Sequence, residues 1–263
     1  MSTVRVEYDG AVASVVLDDP EARNALTAVS KDRLRDALDE VAGDVEVRAV
    51  VLTGAGRTFC VGQHLGEHAA ALEADGANAA FSTITDHYAP IVRTITAMPK
   101  PVVAAVNGAC VGAGLGFALA CDLRVFAAGT VLSTAFTGIG LTCDSGLSAT
   151  LVRAVGEARA RRLVLLGETF TAEDAVAWGI EGQVVDPDTV VSTARDLAAR
   201  LAAGPTLAYA ESKRLLAAAG AGASLSEILV AEREAQTRLG ATEDHRNAVT
   251  AFLGKRRAEF TGR

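Results

Sequence analysis

Three short segments of this sequence carry groups that could perform chemistry. Gly112-Ala113-Gly114-Leu115-Gly116 follows an apolar run typical of a strand, and it predicts a helix whose first N–H groups are not covered by side chains. Such N–H groups, aligned with the helix dipole, can stabilise an oxyanion. Asp144 precedes another predicted helix, where it could transfer protons or cap that helix. His64-Leu65-Gly66-Glu67-His68 has the H-x-x-E-H pattern of some zinc peptidases.

The H-x-x-E-H pattern is the weakest of these indications. On a helix, His64 and His68 would lie one turn apart, with Glu67 available as a general base. Gly62 and Gly66 disfavour that helix, and because only two further histidines exist, a third ligand would have to be a carboxylate. We therefore predict a polar loop that begins a helix, and no metal site.

The glycine-rich segment is also insufficient for a dinucleotide-binding loop. The G-x-G-x-x-G fingerprint requires a glycine where this chain has Phe117. The sequence contains neither a G-x-S-x-G nucleophile elbow nor a Walker loop, which argues against serine hydrolases and P-loop nucleotidases. The remaining prediction is an anion site made of backbone N–H groups.

Charge and composition exclude several other classes of function. The 263 residues include 25 Lys+Arg and 32 Asp+Glu, a net charge of −7, which argues against nucleic acid or an anionic membrane surface as a partner. The stretch between Lys100 and Asp122 is uncharged, but Asn107-Gly108 interrupts it, so we predict a buried strand and helix rather than a membrane span. The four cysteines form no C-x-x-C pair and no signal-like segment opens the sequence, which predicts reduced thiols and a cytoplasmic location.

The elements that must position these groups alternate between strand and helix over the first two-thirds of the chain. Asp9-Gly10 between two alternating runs predicts a hairpin, and Thr27 is placed to cap the next helix. The pattern also predicts a long helix over Asn78–Met98, bent at Pro90, and helices after Asp188. The alternation predicts an α/β fold with a mostly parallel sheet, in which ligands bind at the carboxyl ends of strands.

Several motifs, in order along nearly the whole chain, carry a resemblance to a known family. They are Arg23-Asn24-Ala25-Leu26, Thr58-Phe59-Cys60-Val61-Gly62-Gln63-His64-Leu65, Lys100-Pro101-Val102-Val103-Ala104-Ala105-Val106-Asn107-Gly108, Ala120-Cys121-Asp122, Ile139-Gly140-Leu141, Asp144-Ser145-Gly146, Ala154-Val155-Gly156 and Phe252-Leu253-Gly254-Lys255-Arg256-Arg257. In these motifs and their spacing, the chain resembles the crotonase (enoyl-CoA hydratase/isomerase) superfamily.

The resemblance implies a β/α superhelix of stacked ββα turns over residues 1–200 and an all-helical region for trimerisation over residues 201–263. It implies a homotrimer or a dimer of trimers, and a coenzyme A thioester as substrate with no other cofactor. Two backbone N–H groups hold the thioester carbonyl in this superfamily, and by position they belong to Gln63 and Ala113. Such donors stabilise the charge that develops on an enolate oxygen.

The resemblance also places residues around the acyl-CoA. Arg23 is a candidate for the CoA phosphates, as are Lys255, Arg256 and Arg257, which could equally form a solvated helix end. The other expected substrate contacts come from the loops and the helix start described above: Ala25, Val61, Gly62, His64, Leu65, Gly112, Gly114, Gly116, Phe136, Ile139 and Leu141.

The chain departs from the hydratases of this superfamily at both of their catalytic positions. Gly116 and Phe136 stand where those enzymes have glutamates, whereas an acid at the position of Asp144 is the single proton shuttle of related isomerases, including those similar to ring-epoxide isomerases. One carboxylate suffices for a 1,3-proton shift, so we expect enoyl-CoA isomerisation. The alternatives are a hydratase with non-standard residues, aryl-CoA dehalogenase-like attack by Asp144, and an acyl-CoA-binding oligomer without catalysis.

The first prediction concerns metal. We expect the purified protein to contain no stoichiometric zinc, because Gly62 and Gly66 disfavour the helix that would align His64 with His68. Elemental analysis of protein purified without chelators measures this, with chelator-treated enzyme as the control for activity. One zinc per chain, together with activity lost on chelation, would contradict the prediction.

Overall fold

The structure is a computed structural model that describes residues 3–263. Its strands are, in chain order, β1 (Val4–Asp9), β2 (Val12–Leu17), β3 (Ala49–Gly54), β4 (Thr58–Cys60), β5 (Val102–Val106), β6 (Ala109–Val111), β7 (Leu123–Ala127), β8 (Val131–Ser133), β9 (Thr169–Thr171) and β10 (Gln183–Val185). A six-stranded sheet has the order β1-β2-β3-β5-β7-β10, and a four-stranded sheet has the order β4-β6-β8-β9.

The larger sheet confirms the predicted hairpin and the predicted α/β class. β1 and β2 are antiparallel, with Val4 opposite Leu17, and Gly10 adopts a φ of 55° in the turn between them. From β2 onward every neighbouring pair in this sheet is parallel. Every residue of β2, β3 and β5 is buried, as expected for strands that are covered on both faces.

Local sequence patterns did not predict the second sheet. Only the superhelix implied by the family resemblance includes such a sheet. Its strands have three residues each, too few for a two-residue alternation to be detected. β4 pairs in parallel with β6, and β6 with β8. The segments that follow β4 and β6 contain Gln63 and Ala113, so this small sheet brings the two candidate donors side by side.

The helices are α1 (Ala28–Gly43), α2 (Leu65–Phe81), α3 (Ala89–Ala97), α4 (Ala113–Ala120), α5 (Leu147–Val155), α6 (Glu157–Leu166), α7 (Ala172–Ala177), α8 (Val190–Ala202), α9 (Thr206–Gly220), α10 (Leu225–Gly240) and α11 (Glu243–Leu253), with a π-helical turn at Ile84–Tyr88 and 3₁₀ turns at Thr137–Ile139 and Pro187–Thr189. The predicted cap of α1 is confirmed, because the Thr27 hydroxyl accepts a hydrogen bond of 3.1 Å from the Ser30 N–H.

The predicted long helix over Asn78–Met98 is wrong. α2 ends at Phe81, the π-helical turn follows, and α3 begins at Ala89. Pro90 lies in the first turn of α3, where its missing N–H costs no hydrogen bond, so it helps to begin a helix instead of bending one. The kink in this region lies in α2, at Gly76, whose φ is 76°.

Helices cover both faces of the larger sheet. On one face, small side chains of α8 such as Ala194 and Ala198 pack against Val51 and Val103. On the other face, α1, α3 and α4 contribute to the main core, and every residue of α4 is buried. None of the helices within residues 3–263 has the length and apolar character needed to cross a membrane.

The last three helices form the predicted helical C-terminal region, and polar contacts attach it to the core. Lys213 on α9 lies 2.8 Å from Asp122, whose carboxylate also accepts a hydrogen bond from the N–H of Val102 at the start of β5. The buried Asp244 accepts hydrogen bonds from the backbone of residues 261–262. The division at residue 200 falls inside α8, and as a domain boundary it stays a prediction.

Large apolar side chains of this region are exposed in the single chain. Leu225 is 74% exposed, Phe252 is 81% exposed and Leu253 is 77% exposed. Contiguous exposed apolar side chains are typical of interfaces between proteins. The trimer or dimer of trimers expected from the resemblance stays a prediction, and these side chains are where we expect its contacts.

We expect truncation before Leu225 to give monomeric or insoluble protein, because it removes the apolar surface that association would bury. Leu253→Asp should also lower the mass measured by light scattering. Val45→Asp is the matched control, since Val45 is 85% exposed but lies between α1 and β3. A truncated chain that keeps the mass per particle and the CoA affinity of the full chain would defeat this prediction.

Candidate active site

A cavity of about 530 Å³ opens between the segments that follow β2, β4, β6 and β8. It is lined by most of the residues predicted to contact the substrate or the reacting atoms: Arg23, Ala25, Val61, Gly62, Gln63, His64, Leu65, Gly112, Ala113, Phe136, Ile139 and Asp144. Six further residues line the cavity and were not predicted from the sequence: Glu21, Ala22, Gly66, Val111, Thr134 and Ala135. Most of these six are direct neighbours in sequence of predicted residues, and this adjacency could have indicated that they also line the cavity.

Three of the predicted substrate contacts lie outside this cavity. A Cβ on Gly114 would lie 2.4 Å from the carbonyl oxygen of Cys60, and one on Gly116 would lie 2.7 Å from the Cβ of Ser145. Leu141 packs against the main core. Gly114 and Gly116 face protein because α4 is buried on all sides, so these three positions do not line the cavity of the single chain, and their contacts with substrate stay a prediction.

The segment after β4 carries the first candidate donor. The N–H of Leu26 donates to Gly62 over 2.8 Å, and the N–H of His64 donates to Leu26 over 3.0 Å. This bridge directs the intervening N–H, that of Gln63, away from Leu26. Gly62 has a φ of 82°, and a Cβ there would lie 3.4 Å from the nitrogen of Ala113. The two segments can approach this closely only because residue 62 is glycine.

The start of α4 carries the second candidate donor. Gly112 is the N-cap with a φ of 57°, and its own N–H donates a hydrogen bond of 3.0 Å to the carbonyl of Ser133 on β8. Ala113 is the first helical residue, so its N–H has no acceptor within the helix. Within residues 3–263, neither the Ala113 N–H nor the Gln63 N–H finds a hydrogen-bond acceptor. Two unpaired donors therefore belong to one cavity.

Asp144 does not cap α5, contrary to one of its two predicted roles. The N-cap of α5 is Gly146. Asp144 contributes only its backbone carbonyl, which accepts a hydrogen bond of 2.9 Å from the N–H of Leu147. The carboxylate instead accepts a hydrogen bond of 2.7 Å from the hydroxyl of Ser145. Burial raises the pKa of the Asp144 carboxyl, and this hydrogen bond and the charge of Lys31 oppose that shift. A carboxyl with a raised pKa in a cavity is suited to proton transfer.

The segments around the cavity hold strained backbone. Arg23, Asn24, Ala135 and Ser145 have φ values of 54°, 55°, 60° and 51°. Left-handed conformations cost such residues about 1 kcal/mol or more and persist where the surroundings enforce them. The buried side chain of Asn24 provides one such restraint, because its Nδ2 donates 2.7 Å to the carbonyl of Thr58 on β4.

The H-x-x-E-H segment begins a helix, as predicted, although Gly66 lies within that helix. α2 begins at Leu65, and His64 is its N-cap, with Nδ1 accepting 3.1 Å from the Glu67 N–H. The Glu67 carboxylate accepts 2.9 Å from the N–H of Ala28 at the start of α1. The ring of His68 packs on Phe81 at a centroid distance of 5.1 Å. Residues 3–263 contain no cluster of three or more possible metal ligands.

Several known proteins are similar to this chain over nearly its whole length. A sequence profile described as enoyl-CoA hydratase/isomerase matches residues 7–263. The chain belongs to the enoyl-CoA hydratase/isomerase family. It is 36% identical over 263 residues to the 1,2-epoxyphenylacetyl-CoA isomerase of Escherichia coli K12, covering 100% of both chains. It is 30% identical over 260 residues to the short-chain-enoyl-CoA hydratase of Clostridium acetobutylicum, covering 98% of this chain and 97% of that one.

A solved structure shows that the fold of this enoyl-CoA hydratase/isomerase family member is the crotonase fold expected from the sequence. The crystal structure of a Mycobacterium abscessus protein assigned to the enoyl-CoA hydratase/isomerases superimposes with a TM-score of 0.94 at 48% identity, covering 99% of this chain and 100% of that one. The family acts on coenzyme A thioesters, and the names of the relatives include both isomerases and hydratases.

The contact between α4 and the Asp144 loop gives a stability prediction. Gly116→Ala should lower the free energy of unfolding by about 1–3 kcal/mol, because the new Cβ would overlap with Ser145. Urea unfolding measures the loss. Gly138→Ala is the matched control, since a Cβ at Gly138 would have no atom within 4 Å. Equal stability of the two variants would contradict this prediction, because the Asp144 loop would then move to accept the new Cβ without loss of folding free energy.

Proposed function

We propose that this enzyme is an enoyl-CoA isomerase in which Asp144 carries one proton between two carbons of the acyl group. The observation that supports it is a half-buried carboxyl, with a pKa raised by burial, in the same cavity as two backbone N–H groups that lack acceptors. Asp144 supplies the base, and Gln63 and Ala113 supply the oxyanion hole. No cofactor other than the coenzyme A thioester takes part.

The reaction needs one base and one anion site. The thioester carbonyl of a 3-enoyl-CoA accepts hydrogen bonds from Gln63 and Ala113, and the Asp144 carboxylate accepts a proton from C2. The electrons of that C–H bond move into the thioester and form a dienolate, whose oxygen the two N–H donors and the dipole of α4 stabilise. The Asp144 carboxylic acid then donates its proton to C4, which leaves a 2-enoyl-CoA and restores the carboxylate.

The surroundings of Asp144 favour isomerisation over hydration. The resemblance places hydratase glutamates at positions 116 and 136, where this chain has glycine and phenylalanine. A side chain at Gly116 would meet Ser145, so the Asp144 loop fills the space that such a glutamate needs. Glu21 is the other carboxylate that lines the cavity, and it is exposed. Phe136 and Ile139 provide apolar surface that helps to keep water from the dienolate.

The nucleotide end of the ligand needs cations. Arg23 lines the cavity and is exposed, so its guanidinium can reach a phosphate of coenzyme A. Lys255, Arg256 and Arg257 are exposed in the C-terminal tail and do not line the cavity of the single chain. We assign the phosphate contact to Arg23, and tail cations would contribute only through a neighbouring subunit.

The decisive variant is Asp144→Asn. Asparagine keeps the acceptor for Ser145, so thioester binding should be nearly unchanged, while kcat for a 3-enoyl-CoA should fall at least ~100-fold. Glu21→Gln is the matched control and should keep kcat within about two-fold. In deuterated water, the wild-type product should carry deuterium at C2 or C4, because a carboxylic acid exchanges its proton with solvent.

The raised pKa of Asp144 predicts how wild-type kcat depends on pH and how Asp144→Asn changes thermal stability. Asp144 acts as a carboxylate, so wild-type kcat should fall as pH falls through its pKa, which burial raises above the ordinary value of an aspartate. Because folding raises this pKa, the ionised carboxylate destabilises the folded state above it. Asp144→Asn should therefore unfold at the same or a higher temperature than wild type at neutral pH, as measured by calorimetry.

Four outcomes would contradict the proposal. Wild-type turnover by Asp144→Asn would leave the base elsewhere, and hydration of a 2-enoyl-CoA at useful rates would refute the single-carboxylate argument. Halide release from a halogenated aryl-CoA would favour nucleophilic attack by Asp144. Tight acyl-CoA binding without turnover, across 2-enoyl, 3-enoyl, ring-epoxide and aryl thioesters, would indicate a binding protein.

A further inference from the structure

A buried lysine lies behind the first segment of the candidate oxyanion hole. Lys31 on α1 is 3% exposed, and its ammonium group has no carboxylate within ion-pair distance among residues 3–263. Burying a cation without a charged partner is unfavourable. Burial accordingly lowers the pKa of Lys31, and the more distant charges of Glu67, Asp32 and Asp144 oppose this shift.

The polar partners of Lys31 lead directly to residue 63. Its Nζ donates hydrogen bonds of 3.2 Å to the Oε1 of Gln63 and 2.6 Å to the hydroxyl of Thr83. The Nζ also lies 5.4 Å from the centre of the Tyr88 ring. The hydroxyl of Tyr88 donates to the same Oε1 of Gln63. Two donors therefore hold the side chain of the residue whose backbone N–H belongs to the cavity.

The other buried lysine has a different environment. Lys100 is 5% exposed, and its Nζ donates 2.9 Å to the carbonyl of Val41 and 2.7 Å to that of Asp44 at the end of α1. A cation that binds the last carbonyls of a helix stabilises that helix. Lys100 thus has an evident structural role, whereas Lys31 binds a neutral amide and a hydroxyl beside the cavity.

We propose that Lys31 is a positioning residue of the oxyanion hole, which fixes the side chain of Gln63 and thereby directs the Gln63 N–H into the cavity. The inference rests on the proposed function, because it assumes that this N–H meets the thioester carbonyl. The π-helical turn at Ile84–Tyr88 completes the arrangement, since it places Tyr88 against Gln63 and follows directly after Thr83.

The charge of Lys31 also acts on Asp144. Other titratable groups near this carboxylate are Tyr88 from the π-helical turn, Cys143 on its own loop, His64 at the start of α2, and Glu21 and Arg23 across the cavity. The charge of Lys31 favours the ionised form of Asp144. Losing that charge should shift the acidic limb of the kcat–pH profile to higher pH.

The test uses a chromophoric thioester that reports carbonyl polarisation without turnover. The absorption band of 4-(dimethylamino)cinnamoyl-CoA moves to longer wavelength as hydrogen bonds polarise its carbonyl. On the Lys31→Met variant we expect the shift to fall to roughly half of the wild-type value, and kcat for 3-hexenoyl-CoA to fall about ten-fold with KM nearly unchanged. Lys100→Met is the control for losing a buried lysine, and should keep the wild-type shift and pH profile.

A second variant separates positioning from charge. Gln63→Leu removes the acceptor but keeps the lysine, so it should reduce the spectral shift while leaving the acidic limb in place. It also keeps the proposal testable if Lys31→Met does not fold. Wild-type spectral shifts in folded Lys31→Met, or in Gln63→Leu if Lys31→Met is unfolded, would overturn the positioning role.

The failure of this inference differs from failure of the proposed function. A wild-type enzyme that shifts the spectrum but does not isomerise 3-hexenoyl-CoA would contradict the isomerase proposal alone. The spectra of the variants would still test the positioning role of Lys31. A wild-type enzyme that isomerises, with Lys31→Met unchanged in spectrum and pH profile, would contradict the role of Lys31 alone. A wild-type enzyme that neither shifts the spectrum nor isomerises 3-hexenoyl-CoA would contradict both.

Discussion

The close approach of two backbone segments is the constraint on which the rest of the site depends. β4 and β6 pair in parallel, and the segments that leave them lie so close that a Cβ on Gly62 would be 3.4 Å from the nitrogen of Ala113 at the start of α4. Any larger residue at position 62, with its φ of 82°, would be strained and would crowd Val111 and Ala113. The candidate oxyanion hole is therefore a consequence of strand pairing and of one missing side chain.

The surrounding structure stabilises an arrangement that is locally unfavourable. Left-handed residues, unpaired N–H groups and a half-buried carboxylate each cost free energy. The fully buried α4 and the parallel sheet provide the rigid support, and Asn24 fixes the adjoining loop to β4. Functional sites commonly retain such costs, because the same unsatisfied groups are the ones that interact with the substrate.

Lys31 and Asp144 show how distant segments depend on one another. A helix near the N-terminus supplies a buried cation, and the loop before α5 supplies the carboxylate that responds to it. Neither residue has a local partner in sequence that would reveal the relation. The sequence indicates Asp144 through a family motif, whereas Lys31 belongs to no such motif and occupies one position of an amphipathic helix.

The sequence by itself determined the α/β class, the hairpin at Gly10, the cap at Thr27 and the family, because these depend on local spacing and on motifs in order. It also indicated most cavity-lining residues. Only the tertiary structure decided that α2 and α3 are separate helices, that Gly114 and Gly116 face protein, and that Asp144 is not a cap. Those outcomes depend on which surfaces meet across long separations along the chain, and no local pattern records such contacts.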